Sequence, residues 1–311
     1  MALLRAVELG KLDDVKRLVE SKTALAERTV DKQTALHVAA AMLARQDVIM
    51  FLVNSKKIDV NAQDEHGWTA LHVAASRGRW FNCELLLRSK YTRANILNED
   101  LNAPLSFLAK HRIGELGVEE EPIEQYIKVL GLLVEREAAV DAANKNGETA
   151  LHYACASSNE AAVDFLLKMG ASVNVQNKYV GNDTIRDATR RDETRRRSIA
   201  YHSSTIMSNR VRTMRSMIYA LNDRSYLINH HTLMISISIY PYRFKETPLH
   251  YAARASSVEN VRRLIASGAD TQVLNEQTMT PVQVATDAGK GALLAIMNGT
   301  RADHGDDRSM P

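Results

Sequence analysis

The sequence predicts an all-α solenoid of paired antiparallel helices joined by hairpin fingers, and three observations carry that prediction. A tetrapeptide recurs along the chain: Thr34-Ala35-Leu36-His37, Thr69-Ala70-Leu71-His72, Thr149-Ala150-Leu151-His152 and Thr247-Pro248-Leu249-His250, with weaker copies at Ala103-Pro104-Leu105-Ser106 and Thr280-Pro281-Val282-Gln283. The starting residues lie 35, 34, 46, 98 and 33 apart, and a period near 33 marks stacked helical repeats rather than one globular core. Finally, 45% of the 311 residues are apolar but only 5% are aromatic, and the apolar residues come in short repeated blocks, which favours a solenoid over a large enzyme domain.

Each tetrapeptide makes sense as a helix start. Thr is a good N-cap, and Ala or Pro suits the first helical position, where a missing N–H costs nothing. Leu then points inward, His follows, and small residues (Ala39-Ala40, Ala74-Ala75, Ala154-Cys155, Ala252-Ala253) let a neighbouring helix approach. In these residues the chain resembles the ankyrin-repeat family, whose T-P-L-H-x-A-A signature it matches with Pro often replaced by Ala. The resemblance implies a section shaped like an L, with fingertips and first helices forming a concave surface. It also implies that the motif His bonds the neighbouring finger and its own Thr. His37, His72, His152 and His250 recur once per repeat, too far apart to share one metal ion.

In chain order, residues 1–178 read as an N-terminal cap plus four repeats. The cap carries Leu3, Leu4, Ala6, Val7, Val15, Leu18 and Val19 without a tetrapeptide. The second repeat is the most regular, with Gly67 in a tight finger turn, Gly78 ending the first helix, and Cys83, Leu86 and Leu87 on the second. The third is degenerate: Pro104 to Arg112 lacks both Thr and His, and a loop from Ile113 to Pro122 adds residues before Tyr126, Val129, Leu130, Leu133 and Val134 resume the pattern. Residues 246–298 form a repeat and a C-terminal cap, and 299–311 a polar tail.

Residues 179–245 break the period and read as a disordered, basic insert. They hold 12 Lys+Arg against 5 Asp+Glu, a net of +7, while the rest of the chain, at 28 against 32, is −4. The overall +3 therefore does not make the repeats a nucleic-acid surface; nucleic-acid or membrane binding would have to run through Arg190-Arg191 and Arg195-Arg196-Arg197. Lys178-Tyr179-Val180 can be encoded with GTATGT, a splice-donor-like string at the very break, which points to a retained intron.

Catalytic motifs are absent from the sequence: it has no Gly-rich phosphate loop, H-E-x-x-H, C-x-x-C or nucleophile elbow. Cys83 and Cys155 occupy equivalent blocks and read as small core residues of a reducing compartment. Neither a signal peptide nor a membrane-spanning run is visible. The expectation is a cytoplasmic, possibly nuclear, monomeric scaffold that needs no cofactor or metal and binds other proteins, with two alternatives: a regulatory fragment of a larger kinase or ubiquitin ligase, or an insert-mediated binder.

The family's variable concave positions fall here on Glu65, His66, Trp68, Ser76 and Arg77 in repeat two. They fall on Glu99, Asp100, Asn102, Lys110 and His111 in repeat three, and on Lys145, Asn146, Glu148, Ala156 and Ser157 in repeat four. Trp68 is either an interface anchor or packed on the adjacent finger. As an anchor, its replacement by Ala would weaken binding and leave stability nearly unchanged. Trp80 reads as core.

Overall fold

The computed structural model describes residues 2–21, 24–43, 45–112, 123–178, 245–285, 291 and 293–296. All belong to one of two compact units, Met1–Lys178 with Phe244–Pro311; the other, Tyr179–Arg243, lies outside the described residues. The expectations of a disordered insert and a retained intron, the loop 113–122 and the tail therefore fall outside them too.

Twelve helices among the described residues form six antiparallel pairs: α1 (Ala2–Leu9) with α2 (Leu12–Glu20), α3 (Ala35–Ala41) with α4 (Gln46–Asn54), α5 (Ala70–Ser76) with α6 (Trp80–Leu87), α7 (Pro104–Lys110) with α8 (Ile123–Glu135), α9 (Ala150–Ala156) with α10 (Glu160–Lys168), and α11 (Pro248–Arg254) with α12 (Val258–Ala266). The first helices stack in one row, each on the next, and the second helices stack in a second row. That arrangement follows from side-chain size. From α3 onward the inner helices are seven-residue segments, and Ala or Cys on the packing face (Ala39, Ala40, Ala74, Ala75, Ala154, Cys155), all fully buried, lets their backbones come close. The outer helices supply the larger apolar residues, among them Ile49, Leu52, Leu86, Leu130, Leu133, Leu166 and Leu264, and one continuous core runs through the stack.

Two features extend the sequence reading. Asn82 of α6 donates from Nδ2 to the Ala40 and Met42 carbonyls at 3.0 and 2.7 Å. Asn159, the N-cap of α10, does the same to Ala109 and His111 at 3.0 and 2.6 Å. Each Asn thus satisfies orphan carbonyls at the end of the inner helix of the preceding repeat, α3 for Asn82 and α7 for Asn159. Trp80, expected in the core, is half-buried against it, and its ring meets the exposed Phe81 edge-on. Cys83 and Cys155 are buried free thiols, and burial pushes both pKa values far up, so neither is a ready nucleophile.

Candidate interaction surface

The fingers are built from a repeated local code. Asp64, Asn98, Asn144 and Asn275 each close a turn by donating the backbone N–H to the carbonyl four residues on, at 2.8, 3.1, 3.0 and 3.0 Å. Their side-chain Oδ1 accepts the amide of that same residue, at Trp68, Asn102, Glu148 and Met279. The fourth residue of each turn has positive φ, at Gly67, Leu101, Gly147 and Thr278. At Gly67 a side chain would also strike the next finger, since a Cβ there would lie 2.9 Å from the Glu99 amide nitrogen. Adjacent tips are laced by Glu65 N–H to Asp31 O, Glu99 N–H to His66 O, Lys145 N–H to Asp100 O and Lys178 N–H to Asn146 O.

The motif histidines join fingers to inner helices. The Thr34, Thr69, Thr149 and Thr247 amides each donate to Nδ1 of the His three residues on, at 3.1 to 3.2 Å. An accepting Nδ1 leaves the proton on Nε2, which donates to the next finger: His37 to Trp68 O (2.9 Å), His72 to Asn102 O (3.1 Å), His152 to Glu246 O (3.2 Å) and His250 to Met279 O (3.2 Å). Burial lowers the pKa of His72 and His152 to about 4 and that of His250 in the same direction. These imidazoles are neutral struts, and no group of three or more metal-ligating side chains forms among the described residues.

The expected site residues separate into three sets. Glu65, Glu99, Lys145 and Asn146 stand exposed at the fingertips. The half-buried His66 sits between two carboxylates, 3.6 Å from Glu65 and 4.0 Å from Glu99, and Lys145 pairs with Asp100 at 3.7 Å. Ser76, Arg77, Lys110, His111 and Ser157 are half-buried at the ends of the inner helices and Ala156 is exposed beside them, with His111 Nε2 bonded to the Ser76 carbonyl at 2.7 Å. Two residues counted among the surface positions are buried, and of the two readings of Trp68 the packed one describes its place. Trp68 is only 6% exposed, its ring stacked on Phe107 at 4.7 Å between centroids and 28° between planes. Phe107 takes the place that the smaller Val73 holds in the preceding repeat, so the indole finds an apolar wall and packs. Asn102 is also buried, its carbonyl held by His72 and its Oδ1 by Asn144.

Sequence reasoning missed the hub around Glu148. Tyr251 donates to its Oε1 at 2.7 Å, and Asn144 and Tyr153 donate to Oε2 at 3.1 and 3.3 Å. Asn102 and Asn177 extend the network in either direction. Burial first, then the Glu148 charge, pushes both phenols up, so they remain donors. Repeat three, which precedes this finger, has Ser106 where the other repeats have the motif histidine. The legible signal was a Tyr directly after the motif His in repeats four and five, with a Glu closing the finger before the first of them.

Stacked helix pairs with laced fingers and exposed, chemically varied tips define a helical-repeat solenoid. The chain belongs to the ankyrin-repeat family: the family model "Ankyrin repeats (3 copies)" matches residues 3–100 and 123–177, and "Ankyrin repeat" matches residues 244–276. The chain is 38% identical over 137 residues (43% of its length) to a "Probable serine/threonine-protein kinase" of Dictyostelium discoideum. It is 33% identical over 145 residues (47%) to human "Neurogenic locus notch homolog protein 1". It spans only 15% and 5% of those proteins. Among solved structures, the ankyrin repeat domain of Bcl-3 aligns with TM-score 0.58 at 23% identity, covering 96% of this chain and 98% of that one. The ankyrin repeat domain of human ASB11 aligns with TM-score 0.61 at 19% identity, covering 95% and 97%. These structural likenesses establish the fold.

Proposed function

We propose that the chain is a non-catalytic scaffold that binds partner proteins on the concave surface formed by its fingertips and inner helices. The observation that supports this is the contrast between framework and rim. The Thr–His strut recurs almost unchanged in repeats one, two, four and five, while the fingertips carry Glu65, Glu99 and Lys145 in succession, exposed and different. A rigid frame with variable exposed positions is how one fold serves many partners. The protein acts as a monomer in the cytoplasm or nucleus.

The test replaces Glu65 and Glu99 by Lys and Lys145 by Glu in the full chain, and compares proteins captured from an extract by quantitative mass spectrometry. Specific partners should fall by roughly tenfold while the melting curve stays put. Unchanged capture would move binding off this surface. The 38% match to a kinase favours a second reading, in which the repeats are the regulatory part of a longer polypeptide. Sequencing the full transcript decides that.

A further inference from the structure

Resting on the concave-surface reading, the charge distribution names the chemistry of the partner. The C-caps of the inner helices form one line through the stack: Met42, Arg77, His111, Ser157 and Ala255. Helices α3, α5, α7, α9 and α11 contain no Asp or Glu; Lys110 ends α7, while Arg254, which ends α11, is neutralised by its ion pair with the buried Glu246. Acidic groups of repeats two and three stand on the fingers instead, where Glu65 and Glu99 are exposed and Asp100 is half-exposed. Over repeats two and three the surface thus has a basic helical wall, at Arg77 and Lys110, and an acidic finger wall.

Arg77 is the conspicuous member of the basic wall. Its guanidinium is half-buried, Nε has no hydrogen-bond partner, and no carboxylate pairs with it among the described residues. Burial alone lowers its pKa. The negative end of α5 favours a cation at this spot, yet the last carbonyls of that helix are taken up: Val73 and Ala75 accept backbone amides, and Ser76 binds His111. A guanidinium carries five fixed donors that match a carboxylate in a fork, and a partly desolvated, unpaired charge is costly until such a partner arrives.

We propose that Arg77 is the anchor for an Asp or Glu side chain of a protein partner lying across repeats two and three, and that the same segment turns basic side chains toward Glu65, Glu99 and Asp100. A monoanionic carboxylate fits better than a phosphorylated side chain, because the acidic fingers repel a dianion more strongly. The pattern sought is therefore an acidic residue flanked by Lys or Arg.

The probe is a phage-displayed random peptide library selected on the full chain, with recovered peptides measured by fluorescence polarisation against wild type, Arg77→Gln, Arg77→Glu and Glu99→Lys. Selected peptides should share an acidic residue, bind Arg77→Gln roughly tenfold more weakly and lose measurable binding to Arg77→Glu. Their affinity for Glu99→Lys should also fall, and reselection on Arg77→Glu should replace the acidic position by a basic one. Peptides weakened by Glu99→Lys but indifferent to both Arg77 variants would overturn this proposal and leave the concave-surface reading standing. Peptides indifferent to all three variants, or no selected peptides at all, would sink both. Melting curves of the Arg77 variants that match wild type establish that the loss is at the surface; a collapsed curve in Arg77→Gln would instead assign the side chain to the fold and reject the anchor.

Discussion

His72 and His152 keep their protons on Nε2 because the Thr69 and Thr149 amides occupy Nδ1, and burial holds both pKa values at about 4. In an unfolded chain the same imidazoles titrate near 6.5. Between those values the unfolded state binds more protons than the folded one, so stability is complete above about pH 6.5 and falls as pH drops toward 4. From pH 7 to pH 5 each should cost ~2 kcal/mol, visible as a lower urea midpoint; superimposable curves would show that these rings are not neutral struts. Trp68 makes a second residue-scale case. Buried against Phe107, it should cost on the order of 3–5 kcal/mol when replaced by Ala. Phe107→Ala should be strongly non-additive with it in a double-mutant cycle. A near-neutral Trp68→Ala would restore the interface-anchor reading.

At the scale of the element, the helix starts were legible because Thr, Ala or Pro, Leu and His each act within one turn. The chemistry is local, so sequence order suffices. The burial of Trp68 was not, because it depends on Phe107, a whole repeat away, at a site held by valine in repeats one and two. The Glu148 hub likewise needs Tyr251, 103 residues distant, and an unpaired Arg77 is visible only once its neighbours are placed. Repeat three shows how far local chemistry reaches. Ala103 holds N-cap geometry (φ −89°, ψ 155°), close to that of Thr69 (φ −95°, ψ 168°), yet it has no side-chain oxygen to cap α7. Ala103→Thr should therefore stabilise the chain by about 1 kcal/mol, with added hydrogen-exchange protection centred on α7. A loss of stability would show that the buried site has no room for the threonine.

Across the whole molecule, the fifth finger is where the repeat array is interrupted in sequence. Asn177 donates to Glu246 O at 2.9 Å and accepts the Glu246 amide on Oδ1 at 2.8 Å, as Asn144 does with Glu148. Lys178 laces to Asn146, and Gln176 reaches the Lys245 carbonyl at 2.8 Å. Lys245, counted with the insert on sequence, is thus part of the finger, holding at φ 56° the place that Gly147 holds at 71°. In sequence, residues 179–244 fall between Lys178 and Lys245, where the Asn144–Glu148 finger has the single residue Asn146. Replacing 179–245 by Asp-Gly should then rebuild a five-residue turn, Asn177-Lys178-Asp-Gly-Glu246, with the length and glycine position of Asn144–Glu148. Loop closure should contribute about 1–2 kcal/mol and removal of a left-handed lysine roughly 1 kcal/mol. The larger effect should be cooperativity, because the His152 to Glu246 strut would join repeats through a short turn. The shortened chain should unfold in one sharper urea transition with the amides of α9 and α11 better protected. If it fails to fold, or unfolds in two separated steps, the segment contributes structure to the stack and is no foreign insertion.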